Sequence, residues 1–189
     1  MKNPQRRLFL GRSLGVAHVA AAAVWLPQRA RAFAPASSAE ARRLSFNHLH
    51  THERTALVYA FGNEFVPAAL TRLDHFLRDH YTNEVGRMDP ELFNLLHQVR
   101  QALGSSEPFD VISGYRSAHT NETLRTTRGG GVAKRSLHMD GQAIDVRLPG
   151  VALTDLRDAA LSLKAGGVGY YARDNFVHID TGRVRHWAG

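Results

Sequence analysis

Two short segments constrain this chain most, because together they offer the ligand set of a zinc site on predicted strands. The first, residues 136–145, reads SLHMDGQAID and contains His138 and Asp145; the second, residues 176–180, reads FVHID and contains His178. Imidazole nitrogen and carboxylate oxygen both bind zinc, and three protein ligands leave the fourth position of the metal to a water molecule. The two segments therefore predict a hydrolytic zinc centre.

The local pattern explains how these side chains can converge. His138 follows a polar run in a predicted loop, and Gly141 permits a tight bend before an alternating strand over residues 142–148. His178 lies in a short β-rich run, so its side chain shares a strand face with Asp180. We therefore expect ligands from two strands and one loop.

The rest of the chain predicts helices packed against strands. Asp89 and Pro90 form a good N-cap and first-turn pair for the second helix, Gly104 can end it, and Thr154 is expected to cap the third. Strands are expected at residues 43–50, 55–60, 110–113, 142–148, 167–171 and 176–180, and helices at 65–80, 91–103 and 155–164. This pattern is typical of an α+β domain with helices on a small, mostly antiparallel sheet.

The beginning of the chain has the composition of an export signal. Adjacent Arg6 and Arg7 stand before Leu-Phe-Leu as in a twin-arginine signal, an alanine-rich stretch runs over residues 13–26, and a small-x-small cleavage sequence ends at Ala32. The apolar stretch is shorter than the ~20 residues that a membrane span needs. We therefore expect export by the twin-arginine translocase, cleavage near Ala32 and a periplasmic protein with no stable membrane span.

This interpretation divides the chain into three parts, and cleavage of the first part lowers the formal net charge. The parts are a signal peptide (1–32), a flexible leader (33–42) and one domain (43–189). Six of the 24 lysines and arginines lie in the signal, which has no acidic residue, so the formal net charge falls from +7 to +1, with 18 basic and 17 acidic residues. No basic stripe remains to favour nucleic acid as a partner, and the absence of cysteine excludes disulfides and a thiol nucleophile.

The segment 136–145 also carries a family resemblance. Its pattern S-x-H-x-x-G-x-A-x-D resembles the signature of the D-alanyl-D-alanine metallopeptidases, in the structural clan of lysostaphin and the hedgehog signalling domain. Nearly the whole chain after the signal resembles the YcbK branch, the MepK-type periplasmic murein endopeptidases. The further segments that carry this resemblance are 49–51, 112–117, 128–134, 165–171, 176–182 and 185–187.

The resemblance implies a fold, a cofactor and a substrate. The fold would be that of the D-alanyl-D-alanine metallopeptidases and the hedgehog domain. The cofactor would be one zinc ion per chain, held by His138, Asp145 and His178. The substrate would be peptidoglycan, in which the enzyme would hydrolyse peptide cross-links.

Four other residues are candidates for contact with the reacting peptide. Arg116, in the sequence SGYR, resembles the arginine that in dipeptidase relatives lies by the metal and stabilises the developing oxyanion. A salt bridge within its loop is the alternative for Arg116. Tyr115, Tyr170 and Tyr171 are expected to hydrogen-bond the substrate, with packing in the sheet as the alternative.

The general base is the point at which this chain departs from the clan. Dipeptidases of the clan have an acid three residues before the last zinc histidine, but this chain has Asn175, which cannot accept a proton. Asp180, two residues after His178, is the first candidate, and Asp174 the second. Asp180 could instead orient His178 through a hydrogen bond.

Two further functions stay open from the sequence. A carboxypeptidase or dipeptidase acting on free stem peptides would use the same zinc centre. A zinc-stabilised module that binds peptidoglycan without cleaving it would keep the fold and lack the base, and Asn175 is compatible with that alternative.

Overall fold

The structure, a computed structural model, describes residues 41–127 and 132–189. The predicted signal peptide, residues 33–40 of the predicted leader and residues 128–131 of the predicted loop lie outside these residues. The strands are β1 (Ala41–His48), β2 (Arg54–Phe61), β3 (Glu64–Phe65), β4 (Phe109–Ser113), β5 (Ala143–Arg147), β6 (Gly167–Tyr171), β7 (Phe176–Asp180) and β8 (Arg185–Ala188). The helices are α1 (Pro67–Phe76), α2 (Pro90–Ala102), α3 (Ala118–Thr127) and α4 (Leu153–Ser162), and Leu137–Asp140 forms a 3-10 helix.

All eight strands belong to one sheet, in the order β3-β2-β1-β4-β5-β7-β6-β8. In the part of the chain that the structure describes, neighbours run antiparallel except β1 with β4 and β6 with β8. The predicted α+β fold with a mostly antiparallel sheet is confirmed. The two strands that the sequence pattern missed, β3 and β8, are the short strands at its edges.

Alternation along the central strands separates a core face from a site face. Val146 of β5 pairs with Val177 of β7, and both are fully buried in the hydrophobic core beneath the helices. Asp145 pairs with His178 one position along, so both side chains leave the sheet on the other face. The register of this one strand pair therefore assigns the polar side chains to a common surface.

The helices follow the sequence signals to different degrees. Helix α2 has the predicted start, since the Asp89 carboxylate accepts a hydrogen bond from the N–H of Glu91 at 3.0 Å and Pro90 is its first residue. The predicted capping role of Thr154 is wrong, because α4 begins at Leu153, two residues before the predicted start, with Ala152 as the N-cap. Within the described residues, no helix combines the length and apolar character needed to cross a membrane.

The first predicted helix, residues 65–80, is shorter in the structure. Phe65 belongs to β3, and Pro67 opens α1, which is the helical position that proline favours. The helix ends at Phe76, and the chain then turns at Asp79, whose side chain accepts a hydrogen bond from the N–H of Tyr81 at 2.9 Å. Such an Asx turn competes with helical hydrogen bonding.

Gly141 joins the 3-10 helix to β5 in a conformation that only glycine adopts easily. Its φ is +67°, and its carbonyl accepts a hydrogen bond from the N–H of Asp89 at 2.9 Å. A Cβ at this position would lie 2.0 Å from the carbonyl oxygen of Arg87. The bend that follows His138 therefore depends both on backbone freedom and on close contact with the loop before α2.

We predict that Gly141→Ala lowers the free energy of unfolding by about 2–4 kcal/mol, because left-handed strain and steric overlap act together. Chemical denaturation measures the change. Gly150→Ala is the matched control, since Gly150 has a φ of +76° but open space where a Cβ would lie. Equal losses for both variants would mean that the contact with Arg87 contributes nothing.

Candidate metal centre

Three side chains meet at one point on the site face of the sheet. Nε2 of His138 lies 3.2 Å from Oδ1 of Asp145 and 3.2 Å from Nδ1 of His178, and Nδ1 of His178 lies 2.9 Å from Oδ1 of Asp145. Ligand atoms that share a tetrahedral zinc at about 2.0–2.1 Å are roughly 3.3 Å apart, so this triangle has the size of a zinc site. Among the described residues, this buried trio is the cluster of histidine and acidic side chains that could hold a metal ion.

Local structure delivers each of the three side chains. His138 lies in the 3-10 helix, where the hydroxyl of Ser136 accepts a hydrogen bond from its N–H at 3.4 Å and Gly141 ends the turn. Asp145 and His178 are register partners on β5 and β7. The structure therefore brings together the three ligands that the sequence predicted, from two strands and one loop.

Hydrogen bonds on the outer side of both rings orient their lone pairs toward the centre. Nδ1 of His138 lies 2.7 Å from the carbonyl oxygen of Gly114, which can only accept, so this nitrogen carries the proton. Nε2 of His178 lies 3.0 Å from Oδ2 of Asp180 and donates to that carboxylate. The nitrogens that face Asp145 are therefore the unprotonated ones in the neutral rings, which is the state that binds a metal.

Asp180 is fully buried and uses its oxygens in several hydrogen bonds. Oδ1 accepts from the N–H groups of Gly167 at 3.1 Å and Gly182 at 2.9 Å, and Oδ2 accepts from Arg185 at 2.8 Å as well as from His178. Burial raises the pKa of this carboxyl, but the hydrogen bonds from His178 and Arg185 outweigh that effect and lower the pKa to about 2. This environment favours the orienting role over that of a proton acceptor.

The ionisation of the trio follows from its burial and its mutual contacts. Burial opposes the charge of Asp145, but the neighbouring His138 and His178 hold its pKa well below the usual range. Burial lowers the pKa of His138. Burial also works against a charged His178, but hydrogen bonds with Asp145 and Asp180 prevail and raise its pKa to about 9. A bound metal ion would have to replace the proton of His178, so metal affinity falls as the pH falls.

Arg116 lies next to this trio, as the sequence predicted. Its Nη2 is 3.5 Å from Oδ2 of Asp145 and 3.4 Å from the hydroxyl of Ser113, and the side chain is 11% exposed. Its backbone N–H donates to the carbonyl oxygen of His138 at 3.1 Å. The guanidinium therefore reaches the edge of the metal centre while its backbone is fixed to the same turn as one ligand.

The centre opens into a cleft of about 720 Å³, and one wall of this cleft is aromatic. The Trp187 ring lies 5.2 Å from the ring of His178, and its N–H donates to the hydroxyl of Tyr171 at 2.9 Å. Tyr171 in turn stacks on Phe176 with ring centres 4.5 Å apart. Of these three residues, the sequence favoured only Tyr171 as a substrate contact. Phe176 and Trp187 had no predicted role, although strand alternation places Phe176 on the face of His178.

The other two tyrosines predicted to bind substrate lie in different places. Tyr115 lines the cleft, and its hydroxyl donates to a carboxylate oxygen of Glu84 at 3.1 Å. Tyr170 pairs with Val177 on the core face, where the guanidinium of Arg157 lies 4.8 Å from its ring centre. The prediction for Tyr170 is wrong, because strand alternation turns it toward α4 and leaves Tyr171 facing the cleft.

Comparison with known proteins gives consistent matches over most of the chain. The family model described as peptidoglycan L,D-endopeptidase MepK matches residues 36–187. Peptidoglycan L,D-endopeptidase MepK of Escherichia coli K12 is 47% identical over 174 residues, which is 92% of this chain and 94% of that protein. The probable peptidoglycan L,D-endopeptidase MepK of Haemophilus influenzae is 44% identical over 154 residues, 81% of this chain and 82% of that protein.

We predict that replacing His138, Asp145 or His178 with alanine reduces zinc affinity by about 10-fold or more, because each change removes a coordinating atom. Metal analysis after dialysis and competition with a chromophoric chelator measure the loss. His186→Ala is the control, since His186 is an exposed histidine on β8. Stoichiometric, tightly held zinc in the triple alanine variant would show that the metal binds elsewhere.

Proposed function

Because this chain belongs to the M15 peptidase family, in the group described as peptidoglycan L,D-endopeptidase MepK, we propose that it is a zinc-dependent endopeptidase that hydrolyses peptide cross-links of peptidoglycan in the periplasm. The observation that carries the proposal is the buried His138–Asp145–His178 trio within the matched region. The names of the relatives make an L,D bond the proposed site of cleavage.

The trio fits one zinc ion per chain, by the type and spacing of its donor atoms and by the outer hydrogen bonds that fix both imidazole tautomers. When bound there, zinc supplies a Lewis acid and lowers the pKa of a coordinated water toward neutrality. The protein contributes the geometry. Gly114 and Asp180 hold the two rings so that neither turns away from the centre.

Arg116 is the group proposed to stabilise negative charge on the carbonyl oxygen of the scissile peptide bond. Its guanidinium carries a fixed positive charge, lines the cleft and lies 3.5 Å from Asp145. A donor that is already in place where charge develops costs no reorganisation during the reaction. Removal of such a donor reduces kcat by about 10²–10³.

Asp174 is the carboxylate that we propose as the proton acceptor. The cleft is lined by the carboxylates of Asp79, Asp145 and Asp174. Asp145 faces the metal, and Asp79 accepts hydrogen bonds from backbone N–H groups. Asp174 lies exposed in the turn before β7, and among the described residues no hydrogen bond or ion pair engages its side chain.

Product analysis of purified peptidoglycan, digested with the zinc-loaded protein, tests the proposed activity. We expect dimeric muropeptides to be converted to monomers, because an endopeptidase cuts between the stems. Release of terminal amino acids from monomers would instead identify a carboxypeptidase or dipeptidase. Sedimentation with intact peptidoglycan without any change of composition would identify a binding module.

The two carboxylates beside His178 are expected to respond differently to substitution. Asp180→Asn should weaken zinc binding by about 10–100-fold, because the bond that orients His178 is altered. Asp174→Asn should keep full zinc content and lose roughly 10²–10⁴ in kcat, as expected for loss of a general base. If Asp180→Asn keeps its zinc affinity while turnover falls by that factor, Asp180 is the base.

Export by the twin-arginine route is part of the proposal and concerns residues outside the described ones. The double substitution Arg6→Lys with Arg7→Lys should leave precursor in the cytoplasm, because the translocase recognises both guanidinium groups. Cell fractionation with an antibody against the domain measures the distribution. Undiminished mature protein in the periplasm of a strain that lacks only this translocase would contradict the route.

A further inference from the structure

A buried carboxylate, Asp79, joins two loops beside the metal centre. It lies in the loop between α1 and α2, and it is 1% exposed. Oδ1 accepts hydrogen bonds from the N–H groups of Tyr81 at 2.9 Å and Thr82 at 3.4 Å within its own loop. Oδ2 accepts from the N–H of Ser117, in the loop between β4 and α3, at 2.9 Å. Each oxygen therefore holds a different loop.

The second loop is the one that serves the metal centre. Its Gly114 carbonyl fixes the ring of His138, and the N–H of Arg116 donates to the carbonyl of the same histidine. The N–H of Tyr115 donates to the carbonyl of Leu77 at 2.7 Å, which attaches the first half of this loop to the end of α1. The second half, immediately after Arg116, is attached through the carboxylate of Asp79.

We propose that Asp79 is a positioning residue that holds the guanidinium of Arg116 at the metal centre by fixing the N–H of Ser117. The inference rests on the proposed role of Arg116 and adds the residue on which that role depends. Asp79 lines the same cleft as Arg116, and its hydrogen bonds described above go to backbone N–H groups of the two loops. The contact with Ser117 gives Asp79 a direct path to Arg116 through the backbone of that loop.

A carboxylate is needed here because both of its oxygens accept from N–H groups. An amide has one accepting oxygen, so asparagine can satisfy only one of the two loops. In an Asp79→Asn variant the amide oxygen would keep the hydrogen bonds of the local turn, for which asparagine is well suited. The NH₂ group would then face the N–H of Ser117, and neither of these two donors can accept from the other. Burial raises the pKa of Asp79, but hydrogen bonds from Thr120 and Ser117 outweigh it and lower the pKa to about 2, so this acceptor is charged at neutral pH.

Asp79→Asn therefore separates the turn from the connection between loops. We expect kcat for cross-linked muropeptides to fall by about 10–100-fold, because a displacement of roughly 1 Å at a catalytic group has that effect. KM and zinc content should stay close to wild type. Asp74→Asn is the matched control: it removes an equal charge from the same region, and its single described hydrogen bond, from the N–H of Met88 at 2.8 Å, can be accepted by an amide oxygen.

A double-mutant cycle tests whether the effect passes through Arg116. In the Arg116→Ala background, Asp79→Asn should reduce kcat by no more than about 3-fold, since residues that act through one another are not additive. An undiminished loss in that background, or a wild-type kcat for Asp79→Asn alone, would overturn the inference. If Arg116→Ala itself leaves kcat unchanged, the role of Arg116 falls while the endopeptidase activity stands.

Should Asp79→Asn fail to fold, Thr120→Val provides the same test in milder form. This change leaves the carboxylate in place and removes a hydroxyl that hydrogen-bonds it and that also accepts from the hydroxyl of Ser117 at 3.1 Å. We expect a loss of roughly 2- to 10-fold in kcat, the size of one hydrogen bond, with thermal stability measured in parallel. The inference predicts that this loss also disappears in the Arg116→Ala background, and persistence of the loss would contradict it.

Discussion

The pairing of Asp145 with His178 across β5 and β7 is the interaction on which the site depends. Side chains alternate between the two faces of a strand, so a shift of one residue in either strand would turn its polar group into the hydrophobic core. Val146 and Val177 oppose such a shift, because their burial between sheet and helices is possible only in the observed register. Core packing thus selects the register, and the register places two of the three ligands.

Around that strand pair, rigidity comes from backbone groups. The third ligand lies in a 3-10 turn closed by Gly141, and its ring is fixed by the carbonyl of Gly114. A backbone carbonyl in a packed loop has little freedom to move, and it cannot be removed by a single substitution. Asp180 plays the corresponding role for His178 with a side chain, which in turn is held by Arg185 and two N–H groups. The two histidines are therefore fixed by different means.

The convergence of the three predicted ligand residues, the helix α2 and the alternation of the central strands were predictable because each depends on local chemistry. Asp89 and Pro90 identify the start of α2 whatever surrounds it. Other features depend on contacts that sequence spacing does not encode. The length of α1 is limited by the turn at Asp79, and the edge strands β3 and β8 are too short to show a period. Tyr170 and Tyr171 were distinguishable only by following the register from His178.

The centre also has an order in which it can be built. His178 lies on β7, and Trp187 on β8 completes the aromatic wall of the cleft. The Trp187 ring packs directly on Gly169 of β6, where a Cβ would lie 2.6 Å from the ring. A growing chain that has not yet reached β7 offers only two of the three predicted donor groups. The complete set of three donor groups therefore exists only after β7 has been synthesised, and the cleft wall is complete only when β8 has joined the sheet.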